Sequence, residues 1–323
     1  MVGDAGEQSE TYSFLGPSGT FTEAALAQVP AAAGKPWRAV NNVGEALDDV
    51  VNGRSVAAMI ALENSIEGGV SVAQDALATI PGLRIIGEYL VPVGFVLVAR
   101  PGVALADVKT ITAHPVAYAQ CHGWLNANLP GHDQVPATSN VAAAASLLAV
   151  DDSGAVAVAD AAIAPPTILD HHDLVILAEN IIDNPNAVTR FALVSRSRQV
   201  PEPTGADKTS IIAELPSDRA GTLLELLEQF ATRGVNLSLI ESRPIGDALG
   251  RYRFVIDADG HIRDERVADA LLGLYRFSPR IVFLGSYPRA DAEPIDFDPR
   301  FADSVFIEAR DWLRGLLSSE PPA

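Results

Sequence analysis

The chain has 323 residues, of which 48% are apolar and 20% are charged. This length corresponds to about two domains of ordinary size, and the composition is that of globular rather than disordered proteins. The formal net charge of −18 argues against a nucleic-acid-binding protein, because such proteins present a basic face to phosphate groups.

The cysteine content and the hydropathy pattern point to a compartment. The single cysteine, Cys121, excludes an intramolecular disulfide and a cysteine-rich metal site. The first ten residues carry three acidic side chains and no apolar run, which is unlike a secretory signal. Apolar runs such as 141–150 are shorter than the ~20 residues that a membrane helix needs. We therefore expect a cytoplasmic protein with no membrane partner.

The first 195 residues alternate strand-like apolar runs with alanine-rich helical runs, which indicates an α/β architecture with largely parallel sheets. The predicted strands are 11–15, 56–62, 94–99, 155–159 and 188–194. The predicted helices are 21–29, 70–78, 117–129 and 141–149. Residues 196–208 are polar and contain two prolines and a glycine, which is typical of a linker.

Beyond the linker the pattern changes. The predicted strands are 209–215, 235–245, 249–257 and 280–286, and the predicted helices are 220–233 and 264–277. The order βαββαβ within about 80 residues is typical of a ferredoxin-like domain. The apolar spacing from Phe301 to Leu316 then predicts an amphipathic helix, which we expect to pack on a neighbouring domain or subunit.

Two polar, glycine-containing turns follow predicted strands. In the first, Ser18 and Thr20 precede a helix whose start is a natural anion site, although a capping box of Thr20 and Glu23 explains the same residues. In the second, Glu63, Asn64 and Ser65 lie at the carboxyl end of a strand, where ligands of open α/β sheets bind. An ordinary solvated loop is the alternative there.

A third cluster is the pair Thr189 and Arg190 at the start of an apolar strand. Only 9 of the first 206 residues are lysine or arginine, so each arginine in this region is informative. A guanidinium group is the natural bidentate partner of a carboxylate. The pair therefore indicates an anionic ligand.

With these clusters in place, the chain resembles the prephenate dehydratases, which convert prephenate to phenylpyruvate in phenylalanine biosynthesis. The resemblance is carried by GPSGTFTEAAL (16–26), ENSIEGG (63–69), HPVAYAQC (114–121), NAVTRFALV (186–194) and ESRP (241–244). It implies two α/β lobes, as in a periplasmic binding protein, joined by crossing strands at 94–99 and 188–194. It also implies that no cofactor or metal is needed, because aromatisation of the ring drives the reaction.

The domain division that follows is a catalytic domain at 11–196, a linker at 197–208, an ACT regulatory domain at 209–287 and a tail at 288–323 that contains the amphipathic helix. In the family, ACT domains bind amino acids and meet across a two-fold axis. We therefore expect phenylalanine as the allosteric effector and a homo-dimer or tetramer as the assembly.

The resemblance also assigns residues. The family's essential threonine is Thr189, its substrate-binding asparagine is Asn64 and its glutamine is Gln120. The further substrate-binding residues would be Arg190, Phe191, Ser65, Thr20 and Ser18. Glu63 or a water is the candidate proton source. Some relatives have a serine where this chain has Ala113, which leaves Thr112 or the pair Thr138-Ser139 as a substitute.

The residues expected to bind phenylalanine lie in two segments of the ACT domain. They are Gly221, Thr222, Leu223, Leu224, Asn236, Glu241, Ser242, Arg243 and Pro244. The first turn departs from the family's Pro-Gly-Ala-Leu by reading Ala-Gly-Thr-Leu from Ala220. A domain that only dimerises is the alternative.

Two other functions stay open: the same reaction on arogenate, and a non-catalytic amino-acid-sensing protein. Three further features have simple structural explanations. The run His171-His172-Asp173 lacks a third metal ligand at a useful spacing and is interpreted as a solvated loop. Cys121 is interpreted as a small buried residue rather than a nucleophile, and His114 as a turn residue rather than a general acid.

Overall fold

A computed structural model of the protein describes residues 10–66, 68–149, 159–246 and 250–317. Their contacts divide the chain into two compact units. The first unit contains the described parts of residues 1–70 and 89–191. The second contains residues 71–88 and the described parts of residues 192–323. The second unit therefore includes a short segment from the first third of the chain.

The elements up to residue 195 alternate strands and helices, as the sequence predicts. In chain order they are β1 (Tyr12–Leu15), α1 (Phe21–Leu26), β2 (Trp37–Val40), α2 (Val43–Val51), β3 (Ala57–Asn64), β4 (Gly68–Gly69), α3 (Ser71–Thr79), β5 (Arg84–Pro92), β6 (Val96–Ala99), β7 (Thr110–Ala113), α4 (Pro115–Gln120), α5 (His122–Asn128), β8 (Asp133–Pro136), α6 (Asn140–Ser146), β9 (Ala161–Ala164), β10 (Val175–Ala178) and β11 (Val188–Ser195).

These strands form two sheets. The first has the order β2-β1-β3-β11-β5, with β4 paired to β3, and the second has the order β10-β6-β9-β7-β8. Strand β1 runs parallel to β2 and β3, and β7 runs parallel to β8 and β9. Strand β6 runs antiparallel to both of its neighbours. The mixed α/β fold with two lobes in its catalytic part is thus confirmed.

The chain passes between the two sheets twice, and the location of these passages corrects the sequence-based prediction. Strand β6 belongs wholly to the second sheet and β11 to the first, so neither strand crosses. The connections are the short segments 93–95 and 179–187, which hydrogen-bond to each other. The Val93 amide donates to the Ala187 carbonyl over 2.8 Å, and the Ile181 amide donates to the Phe95 carbonyl over 3.1 Å.

The second sheet is buried on both faces, which explains its apolar strands. One face packs Leu97, Ile111 and Ile163 against α4 and α5, and the other packs Val98 and Ala162 against α6. Successive strand residues point to opposite faces. The central strands β6 and β9 are therefore apolar at every position, as in a parallel sheet covered by helices, whereas the edge strand β8 is largely exposed.

Several predicted bounds differ from the structure. The predicted helix 117–129 is two helices, α4 and α5, because Cys121 adopts non-helical backbone angles of φ −114° and ψ 4°. Helix α2 and strands β2, β5, β7, β8 and β10 were not predicted. Of the predicted strand 155–159, residues 155–158 lie outside the described residues, and the neighbouring strand β9 begins at Ala161.

The second unit contains a ferredoxin-like domain. Its elements are β12 (Asp207–Glu214), α7 (Thr222–Ala231), β13 (Leu237–Pro244), β14 (Tyr252–Asp259), α8 (Glu265–Phe277) and β15 (Ile281–Pro288). The sheet order is β13-β14-β12-β15, with every pairing antiparallel. Residues such as Leu226, Phe230 and Leu274 on the two helices pack against Ile211 and Ile256 of the sheet. The predicted βαββαβ order is confirmed.

The predicted tail helix is present as α9 (Asp303–Leu317). It contacts α8, where Asp303 accepts a hydrogen bond from the Glu265 amide and Arg310 forms an ion pair with the Glu265 side chain. Within the described residues, no helix is both long enough and apolar enough to cross a membrane.

Candidate active site

Three of the residues assigned to catalysis, Glu63, Asn64 and Thr189, meet where β3 ends and β11 begins. These strands are neighbours in the first sheet, and the last residues of β3 lie beside the first residues of β11. The Ser65 amide donates to the Val188 carbonyl, and the Val188 amide donates to the Ser65 hydroxyl group, each over 2.9 Å. Ser65 thus fixes the register of the two strand ends, and its side chain is engaged there.

The pair Asn64 and Thr189 is the main feature of this edge. The Asn64 Nδ2 atom donates a hydrogen bond of 2.9 Å to the Thr189 Oγ1 atom, although the residues are 125 positions apart. Thr189 is buried. Since its oxygen accepts from Asn64, its own proton is directed elsewhere, and no acceptor for that proton is found among the described residues. The arrangement presents a positioned hydroxyl donor.

Arg190 follows Thr189 in β11 and Glu63 precedes Asn64 in β3. These two neighbouring residues form an ion pair. The Arg190 Nε atom lies 3.0 Å from a Glu63 carboxylate oxygen, and the Arg190 side chain is only 8% exposed. A buried guanidinium group needs such a partner, because an uncompensated buried charge is costly. Phe191, the next residue, is 2% exposed and lies in the core. Its contribution to a ligand would be made through packing.

The turn before α1 forms a variant of the capping box that the sequence allowed, because Glu23 reaches the amide of Gly19 rather than that of the N-cap residue Thr20. The Thr20 Oγ1 atom accepts from the Glu23 amide and donates to the Leu15 carbonyl. The Glu23 carboxylate in turn accepts from the Gly19 amide over 2.5 Å. The chain's own carboxylate therefore occupies part of the anion site at this helix start. Ser18 is half-buried in the same turn.

Gln120, the last residue of α4, has a buried side-chain oxygen without a hydrogen-bond donor among the described residues. The side chain is 9% exposed, and its Oε1 atom has no hydrogen-bond partner among the described residues. A buried amide oxygen without a donor costs about 1–3 kcal/mol. Such an atom is a candidate acceptor for a ligand hydrogen bond.

The other residues near α4 have structural roles. The His114 Nδ1 atom accepts from the Val116 amide at the start of α4, and Ser139 caps α6 by accepting from the Ala142 amide. Thr112 is buried in β7 and Thr138 is exposed. Burial, together with the nearby Asp183 carboxylate, raises the pKa of the Cys121 thiol to about 12. A thiol with so high a pKa is protonated at neutral pH and is a poor nucleophile.

The described residues contain no cluster of three or more histidine, cysteine or acidic side chains that could hold a metal ion. His171 instead lies 3.4 Å from the Glu23 carboxylate, in the same unit.

The first segment assigned to phenylalanine binding lies at the start of α7. Gly221 adopts a φ of +89° at the helix N-cap, which glycine tolerates without a steric cost. The Thr222 side chain is buried and donates to the Arg219 carbonyl. Leu223 and Leu224 are exposed. Two exposed apolar side chains therefore lie beside the glycine turn at the start of α7, where the Thr222 amide already donates to the Arg219 carbonyl.

The second segment consists of Asn236, directly before β13, and residues 241–244 on β13, and several of its side chains are already engaged. The Asn236 Nδ2 atom donates to Asp259. Glu241 accepts from Gln74, and Arg243 donates to Asp75 and Ser71. Ser242 and Pro244 are both exposed. Sequence reasoning missed Gln74, Asp75 and Ser71, because nothing in an ordinary amphipathic helix signals a partner nearly 170 residues away.

The comparisons with known proteins indicate one family over most of the chain. A family model described as prephenate dehydratase matches residues 12–199, and one described as the ACT domain matches residues 209–274. A prephenate dehydratase of Amycolatopsis methanolica is 41% identical over 309 residues, which cover 95% of this chain and 98% of the relative.

Solved structures add two neighbours. Prephenate dehydratase from Arthrobacter aurescens, solved in complex with L-Phe, is 54% identical with a TM-score of 0.89, and the match covers 95% of this chain and 99% of that chain. A protein described as GqqA, a novel type of quorum quenching acylase, is 30% identical with a TM-score of 0.74, and the match covers 86% and 97% of the two chains.

Proposed function

The chain belongs to the prephenate dehydratase family, and from that premise we propose that Thr189 and Asn64 act on the leaving hydroxyl group of prephenate. The family's reaction removes this ring hydroxyl group together with a carboxylate. One proton is taken up, and water, CO2 and phenylpyruvate are formed. In these terms the protein is a carbon–oxygen lyase.

The observation that carries the proposal is the Asn64–Thr189 hydrogen bond. A threonine hydroxyl group is too weak an acid to transfer its proton completely near neutral pH. It can donate a hydrogen bond to the departing oxygen, on which negative charge develops, and a fixed donor of this kind is worth roughly 3 kcal/mol. Asn64 supports this role, because it occupies the threonine oxygen as a donor and so orients the threonine proton.

Substrate binding in our proposal involves the neighbouring ion pair. Prephenate carries two carboxylates, and Arg190 is the cation closest in sequence to Thr189. The Glu63 carboxylate accepts a hydrogen bond from the Arg190 Nε atom. This contact fixes the plane in which the guanidinium group of Arg190 meets a substrate carboxylate. A water or Glu63 remains our proposed source of the proton, and Glu63 can supply it only in its protonated form, when it is no longer the anionic partner of Arg190. Phe191, Ser65, Thr20 and Ser18 are proposed to shape the pocket around the substrate.

Gln120 is proposed to accept a hydrogen bond from the substrate through its Oε1 atom, which has no partner among the described residues. This atom also favours a second candidate substrate. Arogenate carries an ammonium group in place of the keto group of prephenate, and an amide oxygen is a suitable acceptor for it.

Regulation by L-phenylalanine is proposed at the start of α7. Backbone groups near Gly221 and Thr222 would hold the amino-acid carboxylate, and the exposed Leu223 and Leu224 would receive the ring. The L-Phe complex of the Arthrobacter aurescens relative supports this choice of effector. Asn236, Glu241, Ser242, Arg243 and Pro244 are proposed to complete the regulatory region.

We further propose a homo-dimer or tetramer, a cytoplasmic location and the domain division 11–196, 197–208, 209–287 and 288–323. The biosynthetic reaction and the single buried thiol support the location. The matched family models, which leave residues 200–208 between them, support the division.

Parallel incubations with prephenate and arogenate test the assignment. We expect prephenate to yield phenylpyruvate, followed by its absorbance in base, with a kcat/KM at least about tenfold above that for arogenate. Formation of phenylalanine from arogenate at the higher rate would assign the second substrate. Binding of phenylalanine without turnover of either compound would instead identify a sensing protein.

A further inference from the structure

Helix α3 belongs to the regulatory unit in space although it lies in the catalytic part of the sequence. The prephenate dehydratase model covers residues 12–199, yet residues 71–88 cluster with residues 192–323. The Arg280 guanidinium group reaches the Ala78 carbonyl, and Lys208 forms a buried ion pair with Glu88. The segment is therefore an integral part of the second unit.

The centre of this attachment is Asp75. The Arg243 Nη2 and Nε atoms bind its two carboxylate oxygens over 2.6 and 3.3 Å, and the Arg253 Nη2 atom binds one of them over 2.6 Å. The Arg243 Nη1 atom also donates to Ser71 over 2.9 Å. Arginine–carboxylate pairs of this bidentate form, joined by a second arginine, are stronger and more specific in geometry than isolated surface pairs.

A second contact lies one residue earlier on α3. The Gln74 Nε2 atom donates to the Glu241 carboxylate over 2.7 Å. Glu241 and Arg243 are two residues apart on β13, so they face the same side of the strand. Strand β13 thus holds α3 through both charged residues of the ESRP segment, and each of the three Arg243 nitrogens (Nε, Nη1 and Nη2) donates to α3.

The chain connects this helix directly to the catalytic residues. Strand β4 pairs with β3 so that Gly69 lies opposite Glu63 and Gly68 lies opposite Asn64. The Val70 amide donates to the Leu62 carbonyl over 2.8 Å. Helix α3 begins at the next residue, Ser71. The peptide bond between Val70 and Ser71 therefore links α3 directly to the hairpin that carries Glu63 and Asn64.

We propose that Asp75 is a positioning residue that couples β13 to the catalytic hairpin, so that an amino acid bound at the regulatory domain changes the position of Asn64 through α3. This inference depends on the proposed function, because it names the route by which phenylalanine acts on that site. Arg243 then acts through Asp75, and an effector that displaces β13 transmits the displacement along α3.

The variant Asp75→Asn tests the coupling. Asparagine has nearly the same shape and lacks the charge that holds two arginines. The full-length variant is assayed with prephenate at zero and at saturating phenylalanine, and phenylalanine binding is measured by calorimetry. Coupling energies of 1–3 kcal/mol correspond to about 5–150-fold effects, so we expect at least about fivefold inhibition of the wild type and less than about twofold inhibition of Asp75→Asn. The dissociation constant for phenylalanine should stay within about threefold.

Asp48→Asn is the matched control, since Asp48 is an exposed aspartate on helix α2 of the first unit. It should be inhibited like the wild type. Retained inhibition in Asp75→Asn would overturn the proposal, and so would loss of phenylalanine binding together with inhibition, because Asp75 would then be needed for the binding site itself. If Asp75→Asn does not fold, Ser71→Ala replaces it, with weakened inhibition expected and unchanged inhibition contradicting the proposal. A wild type without turnover or phenylalanine binding would refute the proposed function instead.

Discussion

The orientation of the Thr189 hydroxyl group depends on its hydrogen bond with Asn64. The Asn64 amide occupies the threonine oxygen as a donor, and this contact orients the threonine proton. We expect Thr189→Val to lower kcat by about two orders of magnitude with little change in KM, because a donor that acts mainly in the transition state contributes roughly 3 kcal/mol. Initial rates of phenylpyruvate formation measure both constants.

Thr189→Ser is the matched control for this substitution. Serine keeps a hydroxyl group within reach of Asn64, so its kcat should stay within about tenfold of the wild type, well above that of the valine variant. A valine variant with a near-normal kcat would remove Thr189 from the reaction.

Cys121 illustrates the opposite case, in which burial suppresses reactivity. Burial and the Asp183 carboxylate raise the pKa of its thiol to about 12, whereas the pKa of an exposed thiol is about 8.5. We expect no labelling of the native protein by a thiol-reactive disulfide reagent at about pH 8, and stoichiometric labelling after unfolding in guanidinium chloride. Rapid labelling of the native protein would show that the thiol is accessible and ionised.

At the level of elements, the packing of β15 depends on a single glycine. Gly285 has a φ of +150°, and a Cβ atom added to it would overlap the backbone carbonyl of Ile85. Since backbone cannot yield as a flexible side chain does, we expect Gly285→Ala to lower the free energy of unfolding by more than about 4 kcal/mol. Denaturant unfolding of the full-length protein measures this change.

Gly205→Ala separates the steric overlap from the backbone conformation. Gly205 has a φ of +86°, and an added Cβ atom there meets nothing within 4 Å. Its replacement by alanine should lower the free energy of unfolding by only about 1–2 kcal/mol, which is the cost of a left-handed backbone conformation. Equal losses in the two variants would show that β15 can shift away from Ile85.

The sequence allowed the fold class to be predicted because its apolar periodicity is local. The ferredoxin-like order was predicted because each element carries its own pattern, as in α7, where Leu226 and Phe230 lie on one face. Short strands such as β8, whose residues are largely exposed, carry no such pattern and were missed. The break between α4 and α5 at Cys121 was missed because the run 117–129 lacks glycine and proline apart from Gly123.

The sequence predicted which residues belong to the candidate site, but it did not predict the contacts between them. Asn64, Thr189 and Arg190 were singled out by their positions at strand ends and given roles by the family resemblance, whereas the pairing of Asn64 with Thr189 across 125 positions could only be seen in the structure. Glu63 and Arg190 were assigned separate roles and are an ion pair. The contact of Asp75 with Arg243 spans 168 positions, and neither residue type at those positions distinguishes a partner from a solvated charge.

For the whole molecule, the placement of residues 71–88 in the second unit determines how removal of the regulatory domain affects thermal stability. In the second unit Leu77, Leu83 and Ile85 are almost fully buried. We expect a chain ending at Gln199 to lose inhibition by phenylalanine and to unfold at a temperature lower by more than about 5 °C, because it loses the partners of this apolar segment. Thermal unfolding followed by circular dichroism checks the second point, and an unchanged melting temperature would contradict it.

The steady-state rate of phenylpyruvate formation, measured on protein treated with a chelator, with and without saturating L-phenylalanine, tests the account most directly. We expect full turnover of prephenate after chelation, since aromatisation of the ring supplies the driving force of the family's reaction, and at least about fivefold inhibition by phenylalanine. Turnover that disappears on chelation and returns with an added divalent metal would contradict the mechanism at Thr189. A rate unaffected by phenylalanine would contradict the regulatory role of the second unit.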